Sequence, residues 1–166
     1  MEIVKLFGGL LLVVCGTLAG LYASGKLRDR VKLLEQYAMF LNQAQSEIGY
    51  TASGIRELLT MPGTMPLLRP VFKDCLRLLN GGCQLENAWR TAVEVHIPDK
   101  NDRELLCYFG DHFGSSNISG ELNKLSLHSE LVWQRLDRLR EEMKTKRRLY
   151  RVVGMFGGVL TAVLLI

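Results

Sequence analysis

The sequence predicts an all-α protein: an antiparallel bundle of about six helices, anchored by N- and C-terminal transmembrane helices. Three observations lead there. The 166 residues include 21 Lys and Arg and 17 Asp and Glu, yet residues 6–25 and 152–166 contain none of them. Between those runs apolar residues recur at three- and four-residue spacing, and no strand-like alternation of useful length occurs. A 48% apolar composition with only 4 Cys fits neither a disordered chain nor a disulfide scaffold.

The N-terminal run, LFGGLLLVVCGTLAGLYASG, is 20 residues long. At about 1.5 Å per residue, a helix of that length crosses a hydrocarbon core of roughly 30 Å. Glu2 and Lys5 make a poor signal-peptide n-region, and the apolar run continues past Cys15, as a lipoprotein cleavage site would not. An uncleaved anchor is therefore preferred over both alternatives. The C-terminal run, VVGMFGGVLTAVLLI, has 15 residues and draws on Leu149, Tyr150 and a snorkelling Arg151 to complete a span. Gly16, Gly20 and Ser24 in the first run, and Gly154, Gly158 and Ala162 in the second, repeat small residues every four positions. In lipid such stripes let helix backbones approach closely, so the spans are expected to pair through them. The predicted organisation is a transmembrane segment at 1–25, a helical-bundle domain at 26–151 and a second transmembrane segment at 152–166.

Charge placement sets the orientation. Residues 26–35 carry four basic against two acidic side chains, and residues 135–151 carry eight against three. Residues 36–134 reverse the balance, with eight basic and eleven acidic. Under the positive-inside rule the domain is cytoplasmic. Lys26, Arg28, Arg30, Lys144, Lys146, Arg147, Arg148 and Arg151 form a juxtamembrane collar suited to anionic headgroups. Binding to nucleic acid is the weaker explanation of a pI near 9.0.

Within the domain, Leu34, Tyr37/Ala38, Leu41, Ala44/Gln45 and Ile48 define one amphipathic helix running on from the first span. Ser53 caps a short helix through Leu59. A helix from Leu67 to Leu79 has Pro70 in its first turn and stops at Gly81 and Gly82. Gln84–Val95 gives the next, ending before Ile97 and Pro98. Asp99 with Asp102 starts the fifth, Lys100–Phe113. From residue 118 onward Leu122, Leu125, Ser129, Val132, Leu136, Leu139 and Met143 alternate in threes and fours. This seam reads as the core face of a bundle rather than a free coiled coil.

No catalytic constellation is present. His96, His112 and His128 fall on separate predicted elements with no carboxylate or cysteine at ligand spacing, so no metal site is expected. Cys75, Cys83, Cys107 and Cys15 match no redox or zinc spacing and read as reduced, mostly buried small hydrophobes. Neither GxxxxGK[ST], GxGxxG after a strand nor GxSxG occurs. No cofactor and no small-molecule substrate is expected, and the protein is read as a non-enzyme whose energy comes from another chain.

Several runs nonetheless resemble one family over nearly the whole length. They are KLRDRVKLLEQYAMFLNQAQSEIGYTASGIREL after the first span, with its EIxY step at Glu47 to Tyr50, and LENAWR at Leu85 to Arg90. FGDHFGSSNISGELNKL at Phe109 to Leu125 and the closing RLYRVVGMFGGVLTAVLLI complete the set. In order and coverage these are similar to the stage III sporulation protein AB family, with Phe109 and Phe113 where leucine, and Glu121 where glutamine, is expected. The resemblance implies a shortened relative of the inner-membrane platform protein of type II secretion and type IV pilus machines. It further implies a place in the mother-cell membrane facing the forespore, in a channel or secretion complex needed for forespore development. The implied partners are a cytoplasmic secretion-type ATPase and other membrane proteins of the same operon.

Three function classes follow. A non-enzymatic platform docking the ATPase is preferred. An adaptor binding anionic lipid through its basic collar is the alternative. A bilayer-embedded enzyme ranks last, since Cys15 and Tyr22 are the only ionisable groups in the two runs. Membrane lipid and possible self-association complete the expected partners, and nucleic acid is not among them. The net-acidic part of the domain, with Glu86, Glu94, Asp99, Asp102, Glu104 and Asp111, is the expected docking surface. Glu94 and Asp102 are its leading residues.

Overall fold

A computed structural model describes residues 25–48, 55–60, 65–113 and 117–165, giving backbone alone for residues 55, 147 and 150–165. Among them are six helices and no strand. Residues 25–48 form α1. It is followed by α2 (Ile55–Thr60), α3 (Arg69–Asn80), α4 (Leu85–His96), α5 (Lys100–His112) and α6 (Ile118–Leu165). The described residues divide into two compact units: Lys32–Leu136, and the residues on either side of it, 25–31 with 137–165.

Local chemistry accounts for the boundaries. Pro70 occupies the first turn of α3, where its missing N–H costs nothing. At the far end Gly81 N–H bonds to Arg77 O and Cys83 N–H to Leu78 O. Gly82 takes φ +88°, a left-handed turn that glycine adopts without penalty. Asp99 caps α5, its Oδ1 accepting from the backbone N–H of Asn101 at 3.1 Å and of Asp102 at 3.2 Å. Asn117 does the same for α6, accepting from Gly120 N–H at 3.0 Å. Arg103 closes the α4–α5 connection by donating to Ile97 O and Pro98 O.

In the unit Lys32–Leu136, α3 packs on α2 and α4, and α4 on α5. The expected face of α1, Leu34, Tyr37, Ala38, Leu41, Ala44 and Ile48, is buried throughout. So are Leu33 and Phe40, outside the three-four pattern, because the buried arc of α1 is wider than that stripe and reaches about half-way round the helix. Phe40 is the hub of the aromatic core, with ring centroids 4.9 Å from Phe72, 5.4 Å from Phe109 and 6.2 Å from Trp89. Trp89 is fully buried and donates its indole N–H to Leu106 O at 2.7 Å. Gly110 allows that ring to sit against α5, since a Cβ there would lie 2.6 Å from Trp89 Cδ1. On α6, Leu125, Ser129, Val132 and Leu136 are buried, so the seam is a bundle's core face.

The 48 residues of α6 include residues 152–165, whose backbone is helical. Among the described residues no helix is long and apolar enough to cross a membrane. Residues 6–24 of the first uncharged run, with Gly16 and Gly20, and the expected cap Ser53, lie outside the described residues. Gly154 and Gly158 fall on the helical backbone of α6.

Candidate functional site

The polar residues of the helical unit sort into a buried set and an exposed set, and the division changes what each can do. In the buried set, Tyr37 of α1 and His128 of α6 face each other with hydroxyl and Nε2 2.8 Å apart. Both are almost fully excluded from solvent. Tyr108 of α5 stacks on His128 at 4.8 Å, and His112 stacks on Tyr108 at 4.0 Å, its Nδ1 3.0 Å from Tyr108 O. Burial drives the His128 pKa down to about 4, with the nearby His112 adding to the shift. Burial, with Cys107 as a lesser cause, holds the Tyr37 hydroxyl well above the usual tyrosine range. His128 Nδ1 has no hydrogen-bond partner among the described residues, so an imidazolium there would have one donor without an acceptor.

This arrangement makes folding acid-sensitive. Because the folded pKa of His128 lies below its ordinary value of 6.5, the unfolded chain binds the extra proton first as pH falls. The contribution is fully present above pH ~6.5 and is lost on going down through pH ~4, a change of about 3 kcal/mol. Urea unfolding of the full chain in mild detergent is expected to show this loss, and His128→Phe is expected to remove it. An identical pH dependence in both proteins would contradict the assignment.

A second buried group is Asp102, fully excluded from solvent and 3.5 Å from Arg135 Nε of α6. The sequence reading placed Asp102 on a docking surface; the structure corrects that, because its carboxylate points into the bundle as the counter-charge of α6. Glu121 is also buried, close to Lys124 at 3.6 Å. The three described cysteines are free thiols. Cys75 and Cys107 are buried as expected, with burial pushing the Cys75 thiol up to about 12 and raising that of Cys107. Cys83, in the α3–α4 turn, is instead exposed.

The exposed set carries the remaining predicted residues. Glu86, Arg90 and Glu94 form one stripe along the outer face of α4, all three exposed. Arg90 Nη2 donates to both carboxylate oxygens of Asp111, at 2.8 and 2.9 Å. Glu104 lies 3.9 Å from Lys100, and Asp99 is occupied as a helix cap. His96, expected to lack a carboxylate neighbour, has one: Nε2 lies 2.7 Å from Asp74 Oδ2 of α3. That hydrogen bond, helped by Arg77, lowers the Asp74 pKa. This contact links α4 to α3. Among the described residues no group of His, Cys, Asp or Glu is placed to hold a metal. In the other unit Lys26, Arg28, Lys144, Lys146 and Arg148 are exposed and Arg30 is partly so; Arg147 and Arg151 lie on α6 with side chains outside the described set.

A whole-chain comparison decides the family. The family model described as stage III sporulation protein AB matches residues 5–166. The chain belongs to the stage III sporulation protein AB family. No curated protein and no solved structure matches it. Phe109 is part of the aromatic core and stacks on Phe113 at 4.8 Å.

Proposed function

We propose that this sporulation protein is a non-enzymatic membrane platform. In this reading residues 6–25 and 152–166 cross the mother-cell membrane facing the forespore, and the helical unit lies in the cytoplasm. There it docks a secretion-type ATPase and couples it to a transenvelope channel required for forespore development. The observation that carries the proposal is the extent of the family match, residues 5–166, which takes in both uncharged runs along with the helical stretch between them. The polar groups support it: those in the interior serve packing, as the Tyr37–His128 and Asp102–Arg135 pairs do. A platform transmits position and force through such a bundle without chemistry of its own.

The proposed docking face is the α4 stripe of Glu86, Arg90 and Glu94, because it is exposed and acidic on a helix locked into the aromatic core by Trp89. Such rim charges act mainly on encounter rate and are screened by salt. Glu94→Lys is expected to lower ATPase recruitment several-fold at low ionic strength while leaving membrane insertion intact. The check is co-isolation of the ATPase with the full chain from sporulating cells in mild detergent. Unchanged recruitment by the variant would remove α4 as the face. Absence of the ATPase and of all other operon products from the wild-type isolate would remove the platform itself.

A further inference from the structure

The short turn of residues 81–84 folds α4 back along α3 as an antiparallel hairpin, with the Phe72 and Trp89 rings 6.0 Å apart between them. Each helix carries a row of exposed charges at four-residue spacing: Arg69, Lys73 and Arg77 on α3, and Glu86, Arg90 and Glu94 on α4. In both rows the outer two charges lie about 12 Å apart along the axis. Arg69, Lys73, Glu86 and Glu94 make no hydrogen bond or salt bridge among the described residues. Arg77 stays 75% exposed beside Asp74, while Arg90 is neutralised by its two bonds to Asp111. The α3 row is therefore basic along its length, and the α4 row is acidic at both ends.

Antiparallel order puts the two rows in register. Counted outward from the turn, Arg77 is level with Glu86 and Arg69 with Glu94, to within about 3 Å. A second copy related by a half-rotation about an axis running along the hairpin lays its α4 over this α3 and its α3 over this α4. Arg69 then faces Glu94 of the second copy, Arg77 faces Glu86, and Lys73 faces the neutralised Arg90 with its Asp111. One exposed ion pair is worth little, but the two-fold axis repeats each contact and makes four matched pairs. Leu67 and Val95, both exposed, lie at the same end of the hairpin and add apolar area there. Rotation about the hairpin's own direction also keeps the helices of both copies pointing the same way, as two chains held in one membrane require. We propose that the outer face of the α3–α4 hairpin is a self-association surface whose partner is a second copy of this chain. The contact goes beyond the platform reading and needs no ATPase. A copy docked in this way covers the α4 face, so self-association and ATPase recruitment exclude each other there.

Cys83 provides the test, because it is an exposed thiol in the turn, close to the two-fold axis. Facing helices pack about 8–10 Å apart, which brings the two Cys83 side chains within reach of a short bismaleimide. The full chain carrying Cys15→Ala, with Cys75 and Cys107 buried, is expressed in a host without the ATPase and cross-linked in unfractionated lysate at low ionic strength. A covalent dimer is expected, and Cys83→Ser is expected to abolish it. Arg77→Glu turns two attractions into repulsions and is expected to lower the dimer yield about tenfold, as is Glu86→Lys. Arg77→Glu/Glu86→Lys restores both pairs with their signs exchanged and is expected to recover the dimer. Arg69→Glu/Glu86→Lys has the same net charge but sets like charges against each other at both ends of the rows, so it is expected to stay low. Equal yields from the two double variants overturn the register. Absence of a Cys83 dimer in the parent chain, or a yield indifferent to Arg77→Glu, overturns the surface. Either failure leaves ATPase recruitment standing, because that is read separately in sporulating cells.

Discussion

Asp102→Lys is expected to unfold the helical unit rather than to alter a surface. The carboxylate is fully buried against Arg135 and sits in the first turn of α5, where a negative charge also favours the helix. Removing one partner of a fully buried pair costs about 3–5 kcal/mol. Arg135 keeps a quarter of its side chain exposed, which puts this pair at the low end, and reversing the sign buries a lysine beside that arginine. The full chain in mild detergent should therefore lose most of its cooperative unfolding transition by circular dichroism. Asp102→Asn keeps the shape and a polar neighbour for Arg135, so it should fall well short of that loss. A native-like melt for Asp102→Lys would show that the Asp102 carboxylate faces solvent.

The second large effect concerns Trp89 and Gly110. Trp89→Ala removes a fully buried indole at the meeting of four aromatic rings, together with its hydrogen bond to Leu106 O, and is expected to cost about 4 kcal/mol. Gly110→Ala would ordinarily gain about 1 kcal/mol of helix propensity. Here the added Cβ meets Trp89 Cδ1, Cβ and Cγ at 2.6, 2.9 and 2.9 Å, near the root of a side chain that has nowhere to go. Overpacking outweighs propensity, for a net loss of about 2 kcal/mol. In the double variant the clash is gone and the propensity gain returns, so its loss should be smaller than that of Trp89→Ala alone. Additive losses in urea titrations would contradict the contact.

Much of the bundle is written in local patterns. The spacing of Leu34 to Ile48, the break at Gly81 and Gly82, the Asp99 cap and the uninterrupted stretch from residue 118 each depend on neighbours within a few positions, and each is found in the structure. What escaped local reading is set by contacts far apart in sequence. Asp102 lies near α5's charged N-terminus and looks like surface until Arg135, on another helix, closes over it. Tyr37 and His128 are 91 positions apart, and Asp74 and His96 are 22 apart, so no spacing rule brings either pair together. Phe40 and Leu33 sit off the expected face of α1 because neighbours cover more of that helix than a three-four stripe requires.

The proposed platform requires a helical unit that faces the cytoplasm from an anchored chain. Cys83 reports on this directly, being the one exposed thiol among the described residues, in the turn between α3 and α4. With Cys15, Cys75 and Cys107 replaced by alanine, a membrane-impermeant maleimide is applied to intact, wall-stripped and permeabilised sporulating cells. Labelling of Cys83 only after permeabilisation is the predicted result and keeps the unit within reach of an ATPase. Labelling in wall-stripped, unpermeabilised cells would place the unit outside and contradict the platform.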